Sequence, residues 1–366
     1  MKKQEDNVLK NLLCQGVEKG VFPGAAAGLF RAGKRLTAVA GYTRLDAKKL
    51  PVREDSFFDI ASLTKPLATA LLTFILIREG RLTLDDRVDC SGLAEMNREK
   101  RRFLIADLLH HSSGLPSYRP YYRRFRAEPS AEAGKELIRM ILRERPEYKK
   151  GSESRYSDLG FILLGEHISQ VTGCRLDRLF REKVTEPLGL EQEIFYSPLT
   201  EPTETDRARF AATEHCSWRK RIIQGEVHDE HCWLMEGVSG HAGLFSTLRG
   251  VMELTELVLR QWTGKSEKDR LNIGGTFLRK ALKRRRNNST WCLGFDTPSP
   301  GASSAGRLFS PRSIGHLGYT GTSFWIDPEE ETVVVLLTNR VHPSRKNTRI
   351  REFRPWFHDS LLAGFS

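Results

Sequence analysis

Paired cysteines and long apolar runs are both missing from this chain of 366 residues. The six cysteines are scattered without a C-x-x-C pair, which indicates reduced thiols rather than a disulfide framework. The longest apolar run, 66–77, has twelve residues including two threonines, fewer than the ~20 that a membrane-spanning helix needs. No continuous apolar segment follows the two lysines near the N-terminus, so no signal peptide is predicted. We therefore expect a cytoplasmic protein without a membrane span.

Two common catalytic motifs are also missing. G-x-S-x-G, which carries the nucleophile of α/β-hydrolases, and H-E-x-x-H, which binds zinc in metalloproteases, do not occur. Potential ligands do crowd the segment 215–232, at His215, Cys216, His228, Asp229, Glu230, His231 and Cys232. Their spacing matches no zinc-ligand pattern, so a metal site there is an alternative that metal analysis would decide. We expect neither a metal nor another cofactor.

Basic residues exceed acidic ones, 58 against 46, which gives a net charge of +12. Such an excess suits a nucleic acid or an anionic small substrate. Basic segments lie at 98–103, 118–126 and 279–286, and the middle one alternates arginines with aromatic residues, as a surface that stacks single-stranded nucleic acid would. No helix-turn-helix, zinc-finger or RNP motif accompanies them. We therefore expect solvated surfaces and no nucleic-acid partner.

The stretch 59–80, DIASLTKPLATALLTFILIREG, joins a serine and a lysine to a strongly apolar helix. Ser62 and Lys65 are three residues apart and share one helix face, so the lysine amine can reach the serine hydroxyl. The helix N-terminus favours negative charge that develops there. The same S-x-x-K spacing recurs at 217–220, in a polar stretch without an apolar helix. The pattern predicts a nucleophile at Ser62 and not at Ser217, although a plain serine helix cap is the alternative.

Strand-like segments lie at the two ends of the chain, and helical segments fill its middle. The predicted elements are a helix at 7–19, a β-hairpin turning at Gly33, a short strand within 56–61, a helix ending at Ser113–Gly114, an apolar helix within 157–173, strands on both sides of Asp327–Pro328, and a final helix at 348–364. This order is typical of the α+β class, with helices flanking an antiparallel sheet formed by both chain ends, and with a mainly helical inserted domain. The predicted domain parts are 1–80 and 236–366 for the α/β domain and 81–235 for the insertion.

Two further segments carry side chains suited to a cleft. Tyr156, Ser157 and Asp158 precede an apolar helix, where a phenol can act as general base if a nearby cation lowers its pKa. The glycine-rich segment GHLGYTG, 315–321, borders a strand and lets another backbone approach closely, which can place a backbone N–H in an oxyanion hole. The alternatives are an ordinary capped helix with a half-buried tyrosine, and a glycine-rich turn with a hydrogen-bonded His316.

These three segments follow, in this order, the patterns S-x-x-K, Y-x-[ND] and [KH]-x-G. The chain thereby resembles the serine β-lactamase and penicillin-binding-protein superfamily, and the tyrosine in the second pattern is similar to that of class C β-lactamases, D-Ala-D-Ala carboxypeptidases and related esterases. The resemblance covers most of 20–345, including FPGAAAGLF, DLLHHSSGLP, GVSGHAGLFST and LLTNRVHP. The stretch 225–246 is similar to a subgroup that includes muropeptide amidases and carboxypeptidases. The implied fold is β-lactamase/transpeptidase-like.

The resemblance implies a role for each matching residue. Ser62 would attack a carbonyl and become acylated, and Lys65 would help to take its proton. Tyr156 would act as the base in acylation, alone or jointly with Lys65, and then protonate the leaving group. His316 would occupy the position where lysine is usual and line the cleft.

Three positions depart from the usual pattern. Asp158 stands where asparagine is commoner, and its carboxylate would hold Lys65 protonated and shift the base role towards Tyr156. His316 replaces a permanent positive charge with one that would vary around pH 6–7. Both changes count against an efficient β-lactamase. Pro66 lacks the N–H that would bond the Ser62 carbonyl in a regular helix.

Further residues are expected to border the cleft. Gly318 and Tyr319 follow the histidine, and the backbone N–H groups of Ser62 and Tyr319 would form the oxyanion hole that the resemblance implies. Arg123 and Arg124 follow the HSSGLP turn, which lies beside the cleft in the resembling family. A guanidinium binds a carboxylate bidentately, so these arginines predict an anionic substrate.

The function expected from these residues is that of a serine hydrolase acting through an acyl-enzyme on an amide or ester. The expected substrate is a small molecule or peptide, with a peptidoglycan-derived peptide from wall recycling as the leading candidate. One alternative is a general carboxylesterase or weak β-lactamase. Another is a binding or sensor module that is acylated without turnover.

Overall fold

The structure is a computed structural model that describes residues 2–46, 49–90, 103–196, 207–265, 268–284 and 289–365, with side chains from residue 7 onward. Of the basic segments, 98–102 and 285–286 lie outside the described residues. The described strands are β1 (Gly24–Arg31), β2 (Lys34–Gly41), β3 (Phe58–Asp59), β4 (Ile194–Tyr196), β5 (His215–Cys216), β6 (Arg221–Ile222), β7 (Leu244–Ser246), β8 (Ile314–Leu317), β9 (Ser323–Asp327) and β10 (Thr332–Thr338).

The α-helices occupy both chain ends and much of the middle. They are α1 (Lys2–Glu18), α2 (Leu71–Arg78), α3 (Ile105–Leu109), α4 (Ala131–Leu142), α5 (Asp158–Thr172), α6 (Leu176–Phe180), α7 (Glu186–Leu188), α8 (Glu230–Leu234), α9 (Leu248–Thr263), α10 (Gly275–Ala281) and α11 (Ile350–Ala363). Short 3₁₀ segments cover Ala61–Leu63 and Tyr121–Arg124, and wider π-helical turns cover Lys65–Ala70 and Arg181–Thr185.

The main sheet is antiparallel and joins the two chain ends. Its strand order is β2-β1-β10-β9-β8, so the N-terminal hairpin pairs directly with a C-terminal strand. A second sheet has the order β3-β7-β4, and β5 pairs with β6. The short strand β3 ends three residues before Ser62, so the second sheet fixes the chain just ahead of the candidate nucleophile.

Successive residues of β10 belong to two different cores because side chains alternate across a strand. Val333 and Val335 pack into the large core on one face of the main sheet, and Val334 packs into the core on the other face. The large core also contains the apolar side chains of α2 and α5, whereas α1 and α11 cover the opposite face. The sheet is therefore buried on both sides, and helix α2 lies deep inside the protein.

The continuous helical segment 61–78 changes its winding at Pro66. That residue lies in the π-helical turn Lys65–Ala70 because proline has no N–H for a regular α-helical hydrogen bond. The carbonyl of Ser62 instead accepts the backbone N–H of Thr64. Among the described residues, this segment alone is long and apolar enough to cross a membrane, and 83% of it is buried inside the protein. The buried core helix of a soluble protein can meet the same criteria of length and apolar composition, so the segment is weak evidence for a membrane span.

The α+β class, the sheet shared by both chain ends and the N-terminal hairpin are confirmed. Two predicted boundaries are wrong, because α1 begins at Lys2 and not at residue 7, and α3 ends at Leu109 and not near Ser113. His111 adopts a φ of +53°, and its Nδ1 accepts the Ser157 N–H at 3.1 Å, which turns the chain away from the helix four residues early. The division into parts at 80 and 235 stays a prediction.

Candidate active site

Ser62 lies in the 3₁₀ turn Ala61–Leu63, where a helical run enters the core. The preceding residue, Ala61, has a φ of +49°, in the left-handed region that alanine adopts only when its surroundings enforce it. Asp59 holds this backbone: Oδ1 accepts the Ala61 N–H at 2.8 Å, and Oδ2 accepts the His228 N–H at 2.7 Å. The chain leading to Ser62 is therefore fixed from two sides.

Lys65 is completely buried and uses all three N–H donors of an ammonium group. Its Nζ donates to the Ser62 Oγ at 2.9 Å, to the Asp158 Oδ1 at 2.7 Å and to the His241 carbonyl at 2.9 Å. Burial lowers the pKa of Lys65, and the attraction of the Asp158 carboxylate opposes that shift without cancelling it. The lysine is thus held against the serine by one carboxylate and one carbonyl.

Tyr156 lies on the other side of the serine hydroxyl. Its phenolic oxygen is 2.7 Å from the Ser62 Oγ and 3.0 Å from the Asp158 Oδ1. Burial raises the pKa of this phenol well above 10, and the negative charge of Asp158 adds to the shift. The sequence-based expectation of a phenol with a lowered pKa is therefore wrong, because burial and a carboxylate outweigh the Lys65 ammonium.

Asp158 is the first residue of α5, where the helix dipole favours a carboxylate. Ser157 caps the helix, with its Oγ accepting the Gly160 N–H, and the Asp158 N–H donates to the Ser117 carbonyl at 3.1 Å. Burial raises the pKa of the Asp158 carboxyl, but the charges of Lys65 and His241 lower it more, so the net shift is downward. Asp158 is therefore ionised at neutral pH.

His316 and Trp291 form a wall beside Tyr156. The Trp291 ring centroid lies 5.6 Å from that of Tyr156 and 5.5 Å from that of His316. Burial and the Lys65 charge lower the pKa of His316 to about 3, so this residue is neutral at pH 7 and does not titrate around pH 6–7 as expected from the sequence. Its Nδ1 lies 2.9 Å from the Leu317 carbonyl, and its buried Nε2 has no hydrogen-bond partner within the described residues.

The turn after β8 lies directly against the backbone that leads to Ser62. A Cβ placed on Gly318 would be 2.7 Å from the Ile60 carbonyl oxygen, so only glycine permits this approach. Thr320 and Thr322 donate to the Asp59 and Ile60 carbonyls at 2.8 and 3.1 Å. These contacts bring the turn to the start of the Ser62 helix, as an oxyanion hole formed by the two segments requires.

Two buried arginines hold the same turn from behind. Arg354 donates through Nη2 to the Gly318 and Thr322 carbonyls, both at 2.8 Å. Arg340 donates through Nε to the Tyr319 carbonyl at 2.8 Å. The two guanidinium groups thereby add side-chain hydrogen bonds to main-chain carbonyls of the turn, which hold it in place.

Three side chains of the 215–232 segment, His228, Asp229 and Glu230, bond partners outside it. The His241 Nε2 lies 2.8 Å from the Asp229 Oδ1, and the His228 Nε2 lies 3.0 Å from the Glu214 Oε2. Arg345 donates to Glu214, and also to Glu230 at 2.6 Å. Across the described ranges, no group of three or more histidine, cysteine or acidic side chains is arranged to hold a metal ion. Asp229 instead braces the loop whose His241 carbonyl accepts from the lysine.

Comparison with known proteins decides the family. The family model described as Beta-lactamase matches residues 9–354. The chain belongs to the beta-lactamase family. It is 33% identical over 308 residues to an Escherichia coli K12 protein named "Putative D-alanyl-D-alanine carboxypeptidase", a match that covers 78% of this chain and 70% of that protein.

Two solved structures share the fold of this chain. EstCE1, described as a hydrolase with promiscuous acyltransferase activity, has a TM-score of 0.74 at 21% identity, covering 97% of this chain and 99% of that one. A class C beta-lactamase also has a TM-score of 0.74, at 16% identity, covering 100% of this chain and 97% of that one. At these identities the likeness concerns the fold alone. The family and the carboxypeptidase-named relative together identify this beta-lactamase family member as a serine hydrolase.

The structure separates the two arginines that were expected at the cleft of this family member. Both lie in the 3₁₀ segment Tyr121–Arg124 and are exposed. Arg123 lies over the Tyr122 ring, at 5.9 Å, and interacts electrostatically with Tyr118 and Glu230. Arg124 instead interacts electrostatically with Tyr121, whose hydroxyl donates to the Glu144 carboxylate. Of the two, Arg123 is the one that interacts electrostatically with a residue of α8, Glu230.

Several residues that shape the site were not found from the sequence. Asp59, Trp291, Arg340 and Arg354 carry no motif that distinguishes them from ordinary core or surface residues. Asp59 offered the best signal, because a buried acid just before a nucleophile requires backbone N–H donors. The others act through residues far away in the sequence, which a local pattern does not reveal.

Proposed function

We propose that this serine hydrolase cleaves an amide or ester bond of an anionic, peptidoglycan-derived peptide in the cytoplasm. The observation that carries the proposal is the hydrogen-bonded cluster of Ser62, Lys65, Tyr156 and Asp158. In this proposal the Ser62 Oγ attacks the carbonyl carbon and forms an acyl-enzyme. The backbone N–H groups of Ser62 and Tyr319 stabilise the oxyanion, and water then releases the acid.

The substrate class is supported by one relative and by the charge near the site. The relative is named as a D-alanyl-D-alanine carboxypeptidase, which favours a peptide with several carboxylates. Because His316 is neutral at pH 7, it supplies no cation for a carboxylate at the position where lysine is usual. Arg123 is the exposed guanidinium that the described residues offer beside Tyr118 and Tyr122, and we assign it to the substrate's negative charge.

A general carboxylesterase is the second candidate. It is favoured by the same neutral His316, because an ester without a carboxylate needs no cation in the cleft. A weak β-lactamase activity is less favoured, for the reason that a β-lactam carries a carboxylate close to the scissile ring.

A substrate panel tests the proposal. It compares p-nitrophenyl acetate and butyrate, nitrocefin, a D-Ala-D-Ala peptide and N-acetylmuramoyl-L-alanine peptides, with product detection by mass spectrometry. We expect an anionic peptide to give the highest kcat/KM. Fast ester turnover with no peptide cleavage would contradict the proposal and favour a general carboxylesterase. A stable acyl-enzyme without turnover would favour a binding or sensor module.

A matched pair of variants tests the anionic substrate. Arg123→Ala should raise the KM for the best anionic peptide by about tenfold, the value of roughly one charge-assisted hydrogen bond, and leave p-nitrophenyl acetate hydrolysis unchanged. Arg124→Ala removes the same charge one residue away and should change neither. Equal effects of the two variants, or of Arg123→Ala on both substrates, would contradict the role of Arg123.

A further inference from the structure

The phenol of Tyr156 bridges the serine and a carboxylate. Its oxygen lies 2.7 Å from the Ser62 Oγ and 3.0 Å from the Asp158 Oδ1. A phenol has one proton, and an ionised carboxylate oxygen only accepts. The phenol can donate to the Ser62 Oγ or to the Asp158 Oδ1. When it donates to the carboxylate, its lone pair faces the hydroxyl of Ser62.

In its ammonium form the lysine cannot take the serine proton. Three acceptors surround the Lys65 Nζ: the Ser62 Oγ, the Asp158 Oδ1 and the His241 carbonyl. A protonated amine donates to all three and keeps no lone pair. With the phenolic proton directed at the carboxylate, the Ser62 hydroxyl accepts from Lys65 and donates to Tyr156, so the hydrogen bonds run from serine to phenol to carboxylate.

We propose that Asp158 is the final acceptor of the Ser62 proton and that Tyr156 relays it. As the Ser62 Oγ bonds to the carbonyl carbon, its proton moves to the phenolic oxygen, and the phenolic proton moves to the Asp158 Oδ1. When the tetrahedral intermediate collapses, the bond to the leaving nitrogen or oxygen breaks, and the proton returns from Asp158 through Tyr156 to that atom. Tyr156 stays neutral throughout, and water follows the same path in deacylation.

The charges around Asp158 suit this role. Lys65, Tyr156 and His241 face it, and Asp229, His231 and His316 interact with it electrostatically from the surrounding segments. The net effect keeps the carboxylate ionised at neutral pH, so the acceptor is present before the reaction starts. The raised pKa of Tyr156 disfavours a free phenolate, which the relay does not require. The asparagine that is commoner at this position in the resembling family has no such acceptor.

The inference rests on the serine-hydrolase chemistry and not on the proposed peptide substrate. Its test therefore uses a fluorophosphonate, which needs no knowledge of the acyl donor. The Ser62 Oγ–P bond forms, the P–F bond breaks and fluoride leaves, while the serine proton passes to Asp158. The rate of labelling is followed by intact mass spectrometry between pH 4 and pH 9. The proteins compared are the unchanged enzyme, Tyr156→Phe, Asp158→Asn and the double variant.

The relay predicts that Asp158→Asn, which keeps the side-chain shape, slows labelling at pH 7 at least about 100-fold, the usual contribution of a positioned base. The double variant should be no slower than the slower single variant, because both residues act on one proton. Losses that multiply, or an Asp158→Asn rate within about tenfold of the original, would overturn the relay. The second result would leave Lys65 as the base, since loss of the carboxylate favours its neutral form.

A proton inventory needs no variant and therefore holds even if Asp158→Asn fails to fold. Labelling rates of the unchanged enzyme are measured in mixtures of H₂O and D₂O. Two protons that move together predict a curved dependence on the deuterium fraction, and a straight line would overturn the relay. If the labelling experiments support the relay while the enzyme cleaves none of the peptides, only the proposed substrate class is rejected. Failure to label Ser62 in the unchanged enzyme would overturn both.

Discussion

Replacing Tyr156 with phenylalanine removes one hydroxyl and little else. In the unchanged enzyme that hydroxyl lies between the Ser62 Oγ and the Asp158 Oδ1, at 2.7 and 3.0 Å. After the substitution Lys65 is the side chain that still bonds the serine hydroxyl within the described residues, and in its ammonium form it takes no proton. A positioned general base contributes about 10²–10⁴ in rate, or roughly 3–5 kcal/mol of barrier at about 1.4 kcal/mol per tenfold. We expect Tyr156→Phe to lose that much.

The same substitution should cost little stability. Asp158 keeps its hydrogen bond from Lys65, so no buried charge is left without a partner. A net loss of about 1 kcal/mol or less is expected for one hydrogen bond. The assay is the rate of p-nitrophenyl acetate hydrolysis and of fluorophosphonate labelling, with urea unfolding measured in parallel.

Tyr196→Phe is the matched control. Tyr196 is also buried, and its hydroxyl bonds the Ser239 carbonyl, at 3.1 Å, and the Thr69 side chain rather than the Ser62 hydroxyl. It should lose about 1 kcal/mol of stability and keep its labelling rate within twofold. A rate loss below tenfold in Tyr156→Phe would refute the assignment of Tyr156 as the base. Equal rate losses in the two variants would show that the effect comes from general destabilisation of the protein.

Three further predictions concern the surroundings of the site. Arg354→Met keeps the apolar volume but removes the two hydrogen bonds that Arg354 donates to the turn after β8. We expect kcat to fall at least about tenfold with KM nearly unchanged. An unchanged kcat would exclude a positioning role for Arg354. Burial raises the pKa of Glu214, but bonds from His228 and Arg345 lower it more, to about 2 from 4.5. Because the folded-state pKa is the lower one, this stabilisation is complete above about pH 4.5 and declines towards pH 2. The stability advantage over Glu214→Gln should therefore shrink over that range, whereas a constant difference would contradict the network. The low pKa of His316, about 3, predicts that NMR of labelled histidine shows no titration of this ring between pH 5 and 8, and a midpoint near 6.5 would contradict its burial beside Lys65.

Much of the fold could be predicted because it depends on local patterns. The β-branched and aromatic residues of 323–338 indicated strands on both sides of Asp327–Pro328, and β9 and β10 occupy these positions. The spacing of Ser62 and Lys65 predicted a direct contact, which the structure shows at 2.9 Å. These features follow from the periodicity of strands and helices, which short segments carry by themselves.

The electrostatics of the site could not be predicted, because they depend on burial and on residues distant in sequence. The acceptors of Lys65 include the His241 carbonyl, 176 residues away. The pKa of Tyr156 rises through burial and not through any change in its immediate sequence. The supports at Arg340 and Arg354 bond main-chain carbonyls, and a sequence pattern does not reveal such bonds.

The most direct test of the account is to identify the serine that is acylated. The enzyme is treated with a fluorescent penicillin and, separately, with a fluorophosphonate, then digested and analysed by peptide mass spectrometry. The account predicts a single modified residue, Ser62, and complete loss of labelling in Ser62→Ala. Modification at Ser217, whose S-x-x-K match lacks a buried helix, or undiminished labelling of Ser62→Ala, would contradict it.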